Sequence, residues 1–407
     1  MAENENSLTG DARPFWSHAW APLAVVIAVH LAIILGYSAF FSFNISCFIN
    51  LGASFQWADE GHFAPGTIKY TNQSGYDACD YYVVALDPFL RNPGVAPTHK
   101  IPDKFMRYQR FLYPAIIHIL AGGRPCFFPH VMLFINFASM TGMTIILMGM
   151  LLRRGASPWL SLIFVLGPGM LFGFWLDLHM HLCFFWIVAA LDSHERKRIV
   201  PCALFLALAL VTWESAVLVA GSLGLWEVIH RRWKNVACLA LVPLPFFCSQ
   251  AYFAHQLGAN LLAGSHKALN LPFVGIVQAM SNLARERLSE GVIHFMRKMT
   301  VLPVMIIFLV MLVLACWKLW RKRDNLYAFL LLAQMLFLFV LDQRTLDTFA
   351  NITRVNAGVM LPFVLSYRDQ REKVSRWLFM GIMALSALAM LRIFSGVREP
   401  YELIRPG

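Results

Sequence analysis

Charge is what this chain has least of. Acidic and basic side chains make up 14% of its 407 residues, where soluble domains carry nearer a quarter. That shortage excludes a string of soluble globular domains. Phosphate-cradling glycine loops are missing too. Neither a Walker loop nor a Rossmann fingerprint occurs, which argues against direct ATP-driven work and a nucleotide cofactor. No internal repeat is evident, and this weakens a secondary-transporter reading. What the chain has in excess is apolar residues, at 58%. Bases outnumber acids, 34 to 23, giving a formal charge of +11. They stand in short clusters between apolar runs, a pattern of membrane topology rather than of nucleic-acid binding.

The sequence therefore reads as one polytopic membrane domain over 1–407, all-α, with about 11–12 transmembrane helices of roughly 20 apolar residues each. The first span is Ala19–Phe43. It has no convincing cleavage site and exceeds a signal-peptide core, so it is expected to stay as an anchor. Further spans are expected near Phe127–Leu152, Trp159–Gly173, Leu178–Leu191, Val200–Val211 and Ala216–His230. Others follow near Val236–Phe253, Val301–Trp320, Leu326–Leu341, Ala357–Ser366 and Trp377–Ile393.

Charge orients these spans. Arg153-Arg154, Arg196-Lys197-Arg198, Arg231-Arg232-Lys234, Arg321-Lys322-Arg323 and Arg368-Arg371-Lys373 mark alternate connections, which the positive-inside rule puts in the cytoplasm. The long first loop, 44–110, then lies on the extracytoplasmic side. So do the Asp177 and Glu214 turns, a second long loop at 254–300, and Asp342–Arg354. The segment Phe111–Gly123 is too short for a span, at roughly 16 Å of helix. A half-inserted helix is expected there, with a full span built on the polar "KFMRYQR" stretch as the alternative.

The first loop gathers the chemistry. Asp77, Asp80, Tyr81 and Val84 would share one helix face by three- and four-residue spacing. Two carboxylates on one face can hold a cation or share a proton; equally, they can form a solvated surface. Asp87-Pro88 reads as a helix stop. Arg107 and Arg110 are three apart, and Arg110 enters an apolar run, where a guanidinium either snorkels or binds phosphate bidentately.

These residues carry a resemblance. Tyr76-Asp77-Ala78-Cys79-Asp80-Tyr81-Tyr82, then Ala85-Leu86-Asp87-Pro88, then Arg110-Phe111-Leu112-Tyr113-Pro114, is similar to a motif of bacterial GT-C-type glycosyltransferases. The pattern resembles cell-surface glycopolymer formation proteins and, more distantly, PIG-V-like mannosyltransferases. It departs from them at Ala78, where glycine is usual, and at Cys79-Asp80, which adds a second acid. The resemblance implies a GT-C-like fold in the bacterial inner membrane, with the active site on the extracytoplasmic face. It implies transfer of a sugar from a polyprenyl-phosphate donor to a glycan, lipid or glycopolymer acceptor. Asp77 matches the loop acid that takes the acceptor proton or positions a divalent cation such as Mg or Mn. Basic residues hold the lipid phosphate: Arg107 and Arg110 are candidates, with Tyr81 and Tyr113 beside them.

Other candidates share that side. Asp59 and Glu60 form an adjacent acid pair, ranked second to Asp77 with Asp80. In "DLHMH", Asp177 and His181 lie one helical turn apart, as metal ligands can, with His179 facing elsewhere. The competing reading there is one acid and two interface histidines. Glu214 opens a helix, where an acid also suits the dipole. Arg354 stands before a late span in the position of the family's phosphate-side base, with Arg344 as competitor. Cys47 and Cys79 fall in the same loop, and pairing and free thiols are both open. A non-enzymatic transporter or lipid-binding protein is the other class. Acids clustered in turns rather than at mid-span favour the enzyme.

Overall fold

The computed structural model describes residues 20–55, 62–71, 75–92, 104–258, 271, 274–285, 301–321, 325–342, 346, 349–355, 357–366, 374–395 and 400–404. Helix α1 (Ala21–Ala39) leads into the first loop. This loop holds β1 (Leu51–Gly52), β2 (Ile68–Tyr70), α2 (Asp77–Leu86) and α3 (Lys104–Gln109), and α4 (Leu112–Leu120) follows it. The bundle continues through α5 (Phe128–Arg153), α6 (Ser161–Val165), α7 (Pro168–Trp175), α8 (Met180–Glu195), α9 (Ile199–Thr212) and α10 (Val217–Ile229). Next come α11 (Trp233–Ala240), α12 (Leu244–Leu257) and α13 (Val274–Arg285). Last are α14 (Val301–Arg321), α15 (Leu326–Leu338), α16 (Phe349–Val355), α17 (Ala357–Leu365), α18 (Val374–Ser395) and β3 (Tyr401–Leu403).

This is the architecture of an all-α membrane protein. Among the described residues four segments are long and apolar enough to cross a bilayer: Ala21–Ala39, Pro125–Arg153, Trp233–Leu257 and Val301–Arg321. The pair Pro158–Val165 and Pro168–Trp175, bent by 55°, makes a fifth if counted as one span. The gap between this number and the eleven or twelve expected has a local cause. Apolar runs that look continuous in sequence are cut by turns. Pro168 separates α6 from α7, because proline cannot donate to the preceding turn. Trp213 is extended (φ −156°, ψ 123°) and ends α9 after 14 residues. That is about 21 Å of helix, short of the roughly 30 Å of a hydrocarbon core.

The centre of the fold is α5, α8 and α9, with α8 packed on both of the others. Helix α5 opens with Pro129 in its first turn and closes on Arg153, both favourable at those ends. Gly142 lets α8 approach: a Cβ there would strike the Phe185 ring at 2.8 Å. Small residues at such crossings let helices pack where no hydrophobic driving force separates them from lipid.

Charge divides the bundle into two ends. At one end lie the turns carrying Asp177 and Glu214, with α2 and α3. At the other, Arg153 pairs with Asp192, Arg154 Nε donates to Glu195 at 2.6 Å, and Lys318 Nζ donates to the Ser366 carbonyl at 3.1 Å. Helices α5 and α8 thus run in the same direction, and α9 returns along α8.

The first loop is tied down from both sides. Its strand β2 pairs parallel with β1 and antiparallel with β3 from the far end of the chain. Lys69 and Glu402 face each other across that pairing at 2.7 Å. Helix α4, nine residues long, packs against α2 and is not among the candidate spans.

Candidate functional site

Helix α2 begins where the backbone turns at Gly75, whose φ of +83° suits glycine. Tyr76 is extended, and Asp77 is the first helical residue. Ala78 lies inside the helix and is fully buried, so no glycine is required there. Asp87 closes the helix, and its carboxylate accepts from the Arg91 and Asn92 amides at 2.9 and 2.7 Å. It is a structural stop, as its Asp-Pro pair suggested.

Asp77 and Asp80 face the same guanidinium. Arg107 Nη2 on α3 lies 2.9 Å from Asp77 Oδ1 and 2.9 Å from Asp80 Oδ2. Arg354 of α16, 277 positions away, reaches Asp77 Oδ2 at 3.4 Å. Its guanidinium sits 5.0 Å above the Tyr76 ring, while Tyr76 donates to Asn351 Oδ1 at 3.1 Å. Next to this group, Arg110 donates from Nε to Glu214 Oε2 at 2.8 Å and from Nη2 to Glu214 Oε1. Its Nη1 donates to the Tyr81 hydroxyl at 3.0 Å. Four separate stretches of sequence thus contribute to one partly buried charged cluster.

Burial alone would raise the Asp77 carboxyl. The Arg107, Arg354 and Arg110 guanidiniums outweigh it and hold Asp77 well below the usual carboxylate range. Burial likewise opposes ionisation of Glu214, and Arg110 more than compensates, leaving its pKa lowered. Both acids are anions at neutral pH.

An aromatic wall continues from Tyr81. The His179 ring lies 4.8 Å from it, edge-on, and 5.3 Å from Trp213. Tyr113 stands 5.8 Å from Tyr81 and donates to the Asp177 carbonyl at 3.3 Å. Asn136 of α5 completes this layer, donating to Asp177 Oδ1 at 2.6 Å and to the Tyr113 hydroxyl at 3.1 Å. Neither ring nitrogen of the buried His179 has a hydrogen-bond partner among the described residues.

The expectations sort clearly against this geometry. Asp77, Asp80, Tyr81, Arg107, Arg110 and Arg354 are brought together, and Tyr113 lies one layer below. Asp59, Glu60 and Arg344 fall outside the described residues. The proposed cation ligands do not converge. No group of three His, Cys, Asp or Glu suited to a metal exists among the described residues. His181 turns both nitrogens to backbone carbonyls, those of Leu178 and Met170 at 3.3 and 3.0 Å. Asp77 is occupied by two guanidiniums, which would repel a cation. Asp77, Asp177 and His181 are not brought together as such a group among the described residues.

Arg110, expected beside a lipid phosphate, holds a carboxylate instead. Cys47 and Cys79 are free and buried. Glu214, weighed equally as a dipole residue, is the direct partner of Arg110. Asn136 and His179 were not singled out for this site. A lone Asn inside an apolar helix gives a signal only in hindsight of its depth, and His179 faces away from Asp177 and His181 only if "DLHMH" is continuous helix. In fact Asp177 has a φ of 50° and α8 begins at Met180.

No protein-family model, curated protein or solved structure matches this chain.

Proposed function

We propose that the chain is a GT-C-type glycosyltransferase that moves a sugar from a polyprenyl-phosphate donor to an extracytoplasmic acceptor. The observation that carries this reading is the Asp77–Arg107–Arg354 cluster. Its arginines converge on a carboxylate at one end of an apolar bundle. Such a site offers preorganised cations to a phosphate and an anion to a developing positive charge. The sequence resemblance of the Asp77 loop and the "RFLYP" element supports the same class.

In this reaction the acceptor hydroxyl oxygen attacks the anomeric carbon. The bond from that carbon to the phosphate oxygen breaks, and its electron pair leaves with the lipid phosphate. The hydroxyl proton passes to Asp77. In the resting arrangement Asp77 is a weak base, because its arginine partners stabilise the anion. Donor binding changes that balance. Arg354 gives Asp77 only one long contact, and its remaining donors can turn to the phosphate. As Arg354 turns away, Asp77 becomes more basic at the moment a proton must be accepted. Arg107 stays as the fixed partner of Asp77 and Asp80. Tyr81, His179 and Trp213 form an aromatic wall of the kind that lines small-molecule sites, with few polar groups to set orientation.

The test is direct. Purified chain is incubated with a panel of labelled polyprenyl-phosphate sugars, and release of polyprenyl phosphate is measured. Release with one or more donors supports the reading; no release from any donor across candidate acceptors contradicts it.

A further inference from the structure

The end of the bundle opposite Asp77 carries a second constructed site. A cleft of about 340 Å³ lies between the α8–α9 and α10–α11 turns, lined by His194, Lys197, Ile199, Arg232 and Asn235. Behind this lining is a carboxylate with no exposure at all, Glu227. Glu227 Oε1 lies 2.8 Å from His194 Nε2 and 3.3 Å from Arg232 Nη1, and its Oε2 accepts from Asn235 Nδ2 at 2.6 Å. The buried anion thus fixes three lining side chains and is satisfied by them. The neighbouring acid Asp192 is taken up by Arg153 and Arg196. Lys197 is different. It is exposed, and its side chain has no hydrogen bond or ion pair among the described residues. It also holds a left-handed φ of 59°, where glycine would sit without strain.

The helices flanking the cleft carry exposed apolar side chains, which form an apolar rim beside it. Val200 and Leu204 on α9 are 66% and 58% exposed, Ile229 is 57% and Trp233 64%. Cations set above an exposed apolar belt with a tryptophan occupy the level of lipid headgroups.

We propose that this cleft binds the phosphate of an anionic membrane lipid, with Lys197 and Arg232 contacting the phosphate and the exposed faces of α9 and α10 receiving the acyl chains. A soluble phosphate ester shares the headgroup chemistry but would leave the apolar rim uncovered.

The test uses the full chain in nanodiscs of phosphatidylcholine with a minority of phosphatidylglycerol, with retained lipids counted by native mass spectrometry. The wild type should retain phosphatidylglycerol selectively. Lys197→Gln/Arg232→Gln should reduce that retention by about tenfold or more, and Lys197→Gln alone, which breaks no internal contact, by at least about threefold. Arg231→Gln/Lys234→Gln removes the same charge from the adjoining turn outside the cleft and should change it less than about twofold. Equal losses in both double variants, or no loss with Lys197→Gln, would overturn the site. Complete displacement of the lipid by millimolar inorganic phosphate would overturn the assignment to a lipid.

Discussion

Arg110 and Glu214, 104 positions apart, meet fork to fork: Nε and Nη2 of the guanidinium address the two carboxylate oxygens, with Nε–Oε2 at 2.8 Å. The pair joins the entry to α4 to the α9–α10 turn, and its third arm reaches Tyr81. Lysine keeps the charge but cannot fill this fork. Arg110→Lys should lower the unfolding temperature, since a charge-assisted bond contributes on the order of 1.5–3 kcal/mol. In a double-mutant cycle with Glu214→Gln the two changes should be non-additive by about 0.5–3 kcal/mol in thermal unfolding. Additive effects would mean that the pair does not act as a unit.

Asp77→Asn should abolish transfer while the protein still inserts and folds, because amide and carboxylate have nearly the same shape. A loss of about 10²–10⁴-fold is the range of a general base. Asp80→Asn should cost less, since Asp80 pairs with Arg107 rather than lying beside Arg354, the arginine that turns to the phosphate. The rates of the two variants, measured on one donor, check the order; Asp80→Asn falling further than Asp77→Asn would reverse the assignment.

Acid should loosen the cluster in a defined direction. The folded pKa values of Asp77 and Glu214 are depressed. Their contribution to stability is therefore complete above the unfolded carboxylate values, near pH 4, and is lost as pH falls through the lower folded values. The Glu214 side chain is 37% exposed, so solvent screening reduces its share and Asp77 dominates. The unfolding temperature should drop below about pH 4 in the wild type, and the drop should be shallower in Asp77→Asn. Parallel curves would show that Asp77 is not the group responsible.

Helix α16 reaches the site because Gly169 lets it lie against α7. A Cβ at position 169 would overlap the Thr353 carbonyl oxygen, the residue before Arg354. Gly169→Ala should push α16 away, lower stability by about 1–3 kcal/mol, and separate Arg354 from Asp77. At Gly221, where a Cβ meets nothing within 4 Å, alanine should be neutral or slightly stabilising. Thermal unfolding and donor affinity of the two variants decide; equal behaviour would remove α16 from the argument.

The parts of this arrangement legible in the sequence were those set by local rules. Hydropathy gave a helical membrane class, and three-residue spacing put Asp77 and Asp80 on one face. Asp87-Pro88 marked the end of α2, and the alternation of basic clusters separated the two ends of the bundle. What escaped depends on tertiary approach. Nothing in the spacing of Arg110 and Glu214 predicts that their turns meet. The pairing of β2 with β3 links residues over 300 positions apart and is too short to leave a periodic signal. The one-turn relation of Asp177 and His181 is lost for a reason of the same kind: it holds in an ideal helix, but the chain turns left-handed at Asp177 before α8 starts.

The central claim is that the Asp77 cluster transfers a sugar away from a lipid phosphate. The measurement that tests it most directly is single-turnover release of polyprenyl phosphate from a labelled donor, comparing the wild type with Asp77→Asn and Arg354→Gln. The account predicts release with label passing to the acceptor in the wild type, no release in Asp77→Asn, and slowed release in Arg354→Gln with the fold intact. Undiminished release in Asp77→Asn would contradict it.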